Sequence, residues 1–290
     1  MIGAMARPDD GQPAGETARF VLVEIHDALY AIDAMATVEL LRAGSLSISR
    51  LPHAPESAMG VANHRGVVIP VFDLRRVLGL RALEEEISEL RGLLEARERD
   101  HVEWLEELRR CAETGREFTK ATDPHKCAFG RWYDQLRSSR EQLNRMTKGD
   151  LALRAVIEGF DEPHRRIHGI AERTLTLARE GSIDEARAVI NRAWDGDLAS
   201  MKRLFARLLQ LFTEQRQPIL VVVSVGDKRV ALSVDGVREV AQIDLASIQP
   251  APGRGAGCDV LSGLVMRRDE NILVLDLAAV VAAANAPLAA

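Results

Sequence analysis

Two stretches of this sequence, about 200 residues apart, repeat one another, and the residues between them follow a different period. FVLVEI (20–25), ALYAID (28–33) and VELLRA (38–43) are short β-branched or apolar runs bounded by turn residues. They predict a hairpin and a third strand in an antiparallel meander. PILVVVSV, the turn Gly226-Asp227, KRVALSV and VREVAQI repeat that order in 217–243. Asp27, Ala31, Ile32 and Glu39 fall on Asp227, Ala231, Leu232 and Glu239 at an offset of 200. VFDLRRVL (71–78) falls on VLDLAAVV (274–281) at an offset of 203. In both copies a buried strand is predicted to run into Asp-Leu and a short helix, with Asp73 and Asp276 as caps.

The middle, 81–216, switches to a helical period. Leu83, Ile87, Leu90, Leu94, Arg97, His101, Trp104, Leu108 and Cys111 form a 4-3 seam with charged residues on the other faces. Ile190, Trp194, Leu198, Met201, Phe205, Leu208 and Phe212 mark a second long amphipathic helix. Between them, one helix is predicted to open near Cys127 and another to run through DEPHRRIHGIAERTLTLA. Four helices with short connections predict an antiparallel bundle. Residues 81–100, and about as many before Arg216, would form two arms of about 30 Å. The bundle is therefore expected to stand on a two-helix stalk.

Composition limits the function classes. The net charge is −5 with no Lys/Arg block, which argues against nucleic acid. The apolar runs are too short to span a bilayer, so no membrane insertion is expected. Residues 1–16 lack an apolar signal core and read as a disordered tail. Cys111, Cys127 and Cys258 are too few and scattered for a disulfide framework. The expected setting is a soluble protein in the reducing cytoplasm.

His164 and His168, at i and i+4, share one helix face. His101 lies on the first seam, and Cys127 opens another helix. Taken singly, each has a plain structural role: a satisfied core histidine, or a small buried thiol. Together they offer three imidazoles and one thiolate from one bundle, a complete tetrahedral set for one zinc. His125, too near Cys127 for joint ligation, is placed at the rim. Cys111 reads as core, or as a resolving thiol for Cys127.

Over about 95–195 the sequence resembles the chemoreceptor zinc-binding domain, CZB. The resemblance rests on His101 with Trp104, on Cys127-Ala128-Phe129-Gly130-Arg131-Trp132-Tyr133, and on His164-Arg165-Arg166-Ile167-His168. It implies zinc held by His101, Cys127, His164 and His168. Gly130 would let the chain pass close to the site, while Trp104, Trp132 and Tyr133 pack around it. The flanks, 17–80 and 217–283, resemble the two halves of a CheW-like chemotaxis coupling domain. That likeness rests on Asn63-His64-Arg65-Gly66-Val67-Val68-Ile69-Pro70-Val71-Phe72-Asp73-Leu74-Arg75 and on Val234-Asp235-Gly236-Val237-Arg238-Glu239-Val240. His64 stands where that family usually has an aliphatic residue.

The resemblance implies an α+β fold: two small β-barrels, interrupted at 81–216 by the helical insertion, with a tail at 284–290. It implies no catalysis and two partners, chemoreceptor cytoplasmic tips and the regulatory domain of a histidine kinase, with Arg65 on the partner-facing surface. A homodimer through the bundle, and a location at receptor arrays on the inner face of the membrane, belong to the same expectation. Three classes compete: a sensory adaptor with a zinc-thiolate input, an adaptor with a purely structural zinc, and a zinc hydrolase. Four protein ligands leave no open position for hydrolysis. In the sensory reading, hypochlorous acid or free zinc acts at Cys127.

Overall fold

A computed structural model describes residues 16–251 and 258–285. The expected N-terminal tail lies outside these residues except for Glu16, and the C-terminal tail except for Ala284 and Asn285. The chain divides into two units. One is made of the residues up to Ala82 together with those from Gln217 onward, and the other is Leu83–Arg216.

Among the described residues the first unit holds twelve strands, each half supplying six in the same order. The first half gives β1 (Thr17–Ile25), β2 (Ala28–Asp33), β3 (Thr37–Arg42), β4 (Ile48–Ser49), β5 (Ala58–His64) and β6 (Val67–Asp73), then helix α1 (Leu74–Val77). The second half gives β7 (Ile219–Val225), β8 (Lys228–Val234), β9 (Gly236–Asp244), β10 (Gln249–Pro250), β11 (Leu261–Arg267) and β12 (Glu270–Leu275), then helix α9 (Leu277–Ala284). Asp73 and Asp276 each accept backbone N–H bonds of the helix that follows them.

The halves do not fold as separate sheets. One sheet runs β10-β11-β12-β2-β1-β9 and the other β3-β7-β8-β6-β5-β4. Each half lends its first hairpin to the sheet built from the other half's remaining strands. The expected meander over 17–80 is therefore corrected: β1 and β2 pair as a hairpin, but β3 leaves to pair with β7. The exchanged hairpins join through parallel pairs, β12 with β2 and β6 with β8, so both sheets are mixed.

Side-chain alternation explains the continuous apolar runs. Phe20 and Leu22 pack in a core confined to the first sheet. Val21, Val23 and Ile25 pack in a core shared with Phe72, Val221 and Val223 of the other sheet. Strands buried on both faces need apolar residues at every position. Arg75 and Asp235, both buried, tie the halves together. Arg75 Nε donates to Asp235 Oδ1 at 2.7 Å and Nη2 to Oδ2 at 2.6 Å.

The second unit contains α2 (Leu83–Thr114), α3 (Ala128–Ser138), α4 (Arg140–Thr147), α5 (Leu151–Glu158), α6 (Asp161–Arg179), α7 (Ile183–Ala193) and α8 (Ala199–Gln215). A π-helical segment, Trp194–Leu198, joins α7 to α8. The expected two-helix stalk is corrected as well. The chain between Cys127 and His164 supplies α4 and α5, which cover the arms. Leu153 and Ile157 are fully buried in the same core as Leu94, Leu208 and Phe212. At the far end, Gln215 Nε2 donates to the Thr147 carbonyl at 2.8 Å, and Arg216 Nη2 to those of Arg145 and Met146 at 2.8 and 3.0 Å. A bare pair of helices would have left the apolar seams at 87–94 and 204–212 in water.

Candidate metal centre

Three elements bring the sequence candidates together. His101 comes from the middle of α2, Cys127 from the residue before α3, and His164 and His168 from successive turns of α6. One ligand atom from each of the four lies within 4.8 Å of every other. The three imidazoles are buried and Cys127 is half-buried.

The ring nitrogens are sorted by backbone carbonyls, which only accept. His101 Nδ1 lies 2.7 Å from the Arg97 carbonyl, one turn back on its own helix. His168 Nδ1 lies 3.2 Å from the carbonyl of Ala121. Both Nδ1 atoms therefore carry the proton and donate, and both Nε2 atoms present lone pairs. These two Nε2 atoms are buried with no hydrogen-bond partner among the described residues. An unsatisfied buried acceptor costs about 1–3 kcal/mol, so two aimed into one pocket fit a bound cation. His164 Nε2 lies 3.2 Å from Cys127 Sγ.

Electrostatics points the same way. Burial, then repulsion from His101, His168 and His125, pushes His164 down to about 2. Burial and His101 push His168 down to about 4, and burial lowers His101 too. Burial thus favours the neutral form of all three rings, the form that ligates. Burial pushes the Cys127 thiol up, against the pull of the Gly130 and Phe129 N–H groups. A divalent cation reverses that balance and holds the thiolate. Neutral imidazoles with one thiolate form a donor set suited to zinc.

Local structure sets Cys127. It is the N-cap of α3, and its Sγ accepts from Gly130 N at 3.1 Å. Helix and preceding turn cross so closely that a Cβ on Gly130 would lie 1.8 Å from the Pro124 carbonyl oxygen. Trp104 is buried against His168, ring centroids 4.9 Å apart. Trp132 is half-buried, and Tyr133 stacks on Phe129 at 5.5 Å.

Phe129 is the part of the site that the sequence motifs do not single out. It is fully buried and packs edge-on to His164 at 4.7 Å and His101 at 5.7 Å. An aromatic two residues after the cysteine is its signal, overshadowed by the Trp-Tyr pair. The Ala121 carbonyl has no sequence signal at all. His125 is outside the cluster: it is exposed and paired with Asp134 at 2.8 Å. Cys111 is buried and bonded to Glu107 and the Glu117 carbonyl, also outside the cluster.

Arg65 belongs to the other unit, in the β5–β6 turn, with φ 52°. Its exposed guanidinium reaches Glu39 at 2.9 Å, and buried His64 Nε2 reaches the same carboxylate at 2.7 Å. Hydrogen bonds from His64, then Arg65, hold Glu39 below the usual carboxylate range. The repeat reproduces the arrangement with Glu239, Arg267 and Arg268.

Comparison with known proteins agrees with this architecture. The CheW-like domain matches residues 19–99 and 193–285, over half of the chain. The chain belongs to the CheW-like family. The chemoreceptor zinc-binding domain matches 101–175, so this CheW-like domain is split by an inserted CZB domain. The CheW-like family consists of adaptors, not enzymes. Protein FrzA of Myxococcus xanthus is 36% identical over 77 residues, 27% of this chain. The match covers 42% of that relative's length. The crystal structure of the scaffolding protein TtCheW from Thermoanaerobacter tengcongensis is also similar. It shares 14% identity over 90% of each chain, with a TM-score of 0.41. Among the described residues, no helix is long and apolar enough to cross a membrane.

Proposed function

We propose that this CheW-like protein is a cytoplasmic chemotaxis adaptor that couples chemoreceptor tips to the regulatory domain of a histidine kinase. Its inserted domain would supply an input through one zinc held by His101, Cys127, His164 and His168. Location at receptor arrays follows from those partners, and the helical unit is the surface for a homodimer. Arg65 is proposed as part of the partner-facing surface.

The observation that carries the sensory reading is the contrast in burial among the four ligands. The three imidazoles are only 2–3% exposed, whereas Cys127 is half-buried. The one oxidisable ligand is thus the one nearest solvent. Bound zinc keeps the sulfur as thiolate. Hypochlorous acid would then take two electrons from that sulfur, giving a sulfenic acid as chloride leaves. The oxidised sulfur ligates poorly, so the turn carrying Cys127 loses its hold on α6. Free zinc would act on the same contacts by mass action. Burial of the other three ligands favours the second reading, in which zinc only braces the bundle.

The experiment is capture of receptor and kinase fragments by full-length protein that is zinc-loaded, chelated or treated with hypochlorous acid. The sensory reading expects binding to change with zinc loss, and Cys127→Ser to stop responding to oxidant. Zinc loss with unchanged binding would leave the structural reading.

We further propose that each six-strand sheet closes as a barrel. The edge strands β3 and β4 are joined by residues 43–47 alone, and β9 and β10 by 245–248. A flat six-strand sheet would hold its edges about 24 Å apart. A five-residue link reaches about 21 Å at full stretch. Glu39 on edge strand β3 also meets His64 at the end of β5, four strands away in the order.

A further inference from the structure

We infer that Trp104 is a positioning residue of the metal centre, acting on His168 through the carbonyl of Ala121. The inference rests on the metal reading above and deepens it.

His101 and His168 obtain their tautomers in different ways. His101 donates Nδ1–H to a carbonyl four residues back in its own helix. That partner is present whenever α2 is formed. His168 donates to Ala121, 47 residues away in sequence. Ala121 lies in the stretch 115–123, which has no helix or strand to hold it. Trp104 supplies the hold, since its Nε1 donates to the same carbonyl oxygen at 2.8 Å. The shorter bond of the two comes from a side chain that is 4% exposed and rooted one turn beyond His101.

Other residues of α2 keep the segment close to the helix. The Sγ of buried Cys111 lies 3.4 Å from the Glu117 carbonyl, sharing its one S–H with Glu107 Oε1 at 3.5 Å. Phe118 packs edge-on against Trp104, centroids 5.2 Å apart. The segment is thus strapped along α2, and Ala121 is the point where the strap meets a ligand. A carbonyl oxygen has two lone pairs, so it accepts from Trp104 and His168 together. Without the indole N–H, the Ala121 carbonyl loses its anchor and is no longer held at the place from which it accepts His168 Nδ1–H. His168 Nε2, buried and unpartnered, then no longer has a fixed direction or tautomer. Groups that orient a ligating histidine typically change metal affinity by about 10–100-fold.

The test uses the full-length chain and zinc itself. Trp104→Phe keeps an aromatic ring beside Phe118 and His168 and removes the donor, though the smaller ring also leaves a cavity. Zinc affinity is read by competition with a chromophoric chelator at fixed pH. Histidine tautomers in the metal-free protein are read from long-range 15N couplings. The expected result is zinc affinity lowered by about 10–100-fold, His168 losing its Nδ1–H form and His101 keeping it. Trp194→Phe, in the π-helical segment, should change neither reading. Benzothienylalanine at 104 keeps the ring shape without the N–H, and the same two measurements on it separate the lost donor from the cavity. Wild-type affinity and tautomers in the substituted protein would overturn this inference while leaving the metal reading intact. A wild-type chain that binds no zinc would overturn the metal reading, and this one with it.

Discussion

Gly130→Ala tests whether the crossing of α3 over the 124–126 turn sets the geometry of Cys127. Two effects oppose each other. Alanine inside a helix gains about 1 kcal/mol over glycine. Against that, the new Cβ would lie 1.8 Å from the Pro124 carbonyl oxygen, and real Cβ atoms essentially never approach closer than 3.0 Å. The turn must therefore open by about 1.2 Å, the difference between those distances. Overpacking of this kind costs about 1–3 kcal/mol, so the metal-free protein should lose about 0–2 kcal/mol net. The effect on metal should be larger. Coordination distances hold to about 0.2 Å, several times less than the forced shift, and Cys127 sits between the two colliding residues. Zinc affinity should fall at least about tenfold, a loss of about 1.4 kcal/mol of binding. The assays are thermal unfolding in chelator and zinc competition for the full-length protein. Gly169→Ala is the control, because a Cβ added there meets nothing within 4 Å and only the propensity gain remains. Wild-type zinc affinity in Gly130→Ala would refute the reasoning.

Arg75→Ala leaves the Asp235 carboxylate buried without its bidentate partner, and should cost the β-rich unit about 3–5 kcal/mol in urea unfolding. Adding Asp235→Ala should recover part of that loss, and strict additivity would count against a coupled pair. Residues 17–82 expressed alone should be unfolded by circular dichroism, because their strands belong to two different sheets. A chain with 83–216 replaced by a flexible linker should fold, since that body keeps its own cores. Chelation should lower the melting temperature of the helical unit and leave the β-rich unit unchanged. His168→Ala should abolish that difference, and a chelator effect that survives the substitution would exclude the proposed ligand.

The order of elements and the membership of the His/Cys cluster are legible in the residues alone. Two apolar-strand regions of matched order, with a helical period between them, specify repeat and insertion. The grouping of His101, Cys127, His164 and His168 is legible because three imidazoles and one thiol at inward positions of one helical unit make a donor set suited to a metal, although each alone would read as core. Pairing is not legible. A strand such as FVLVEI, apolar on both faces, satisfies its burial equally well beside its own half or the other. Only the packing of both halves around a shared core sends each hairpin across. The cover over the arms, α4 and α5, leaves little trace in the pattern because both helices are only eight residues long. The finer parts of the metal centre are hidden for a different reason. Ala121 contributes a carbonyl that every residue possesses, and Gly130 matters through a collision that only the crossing of two backbone segments creates. Backbone atoms carry no sequence signature, so folding in three dimensions alone selects which of them meets a side chain of the cluster.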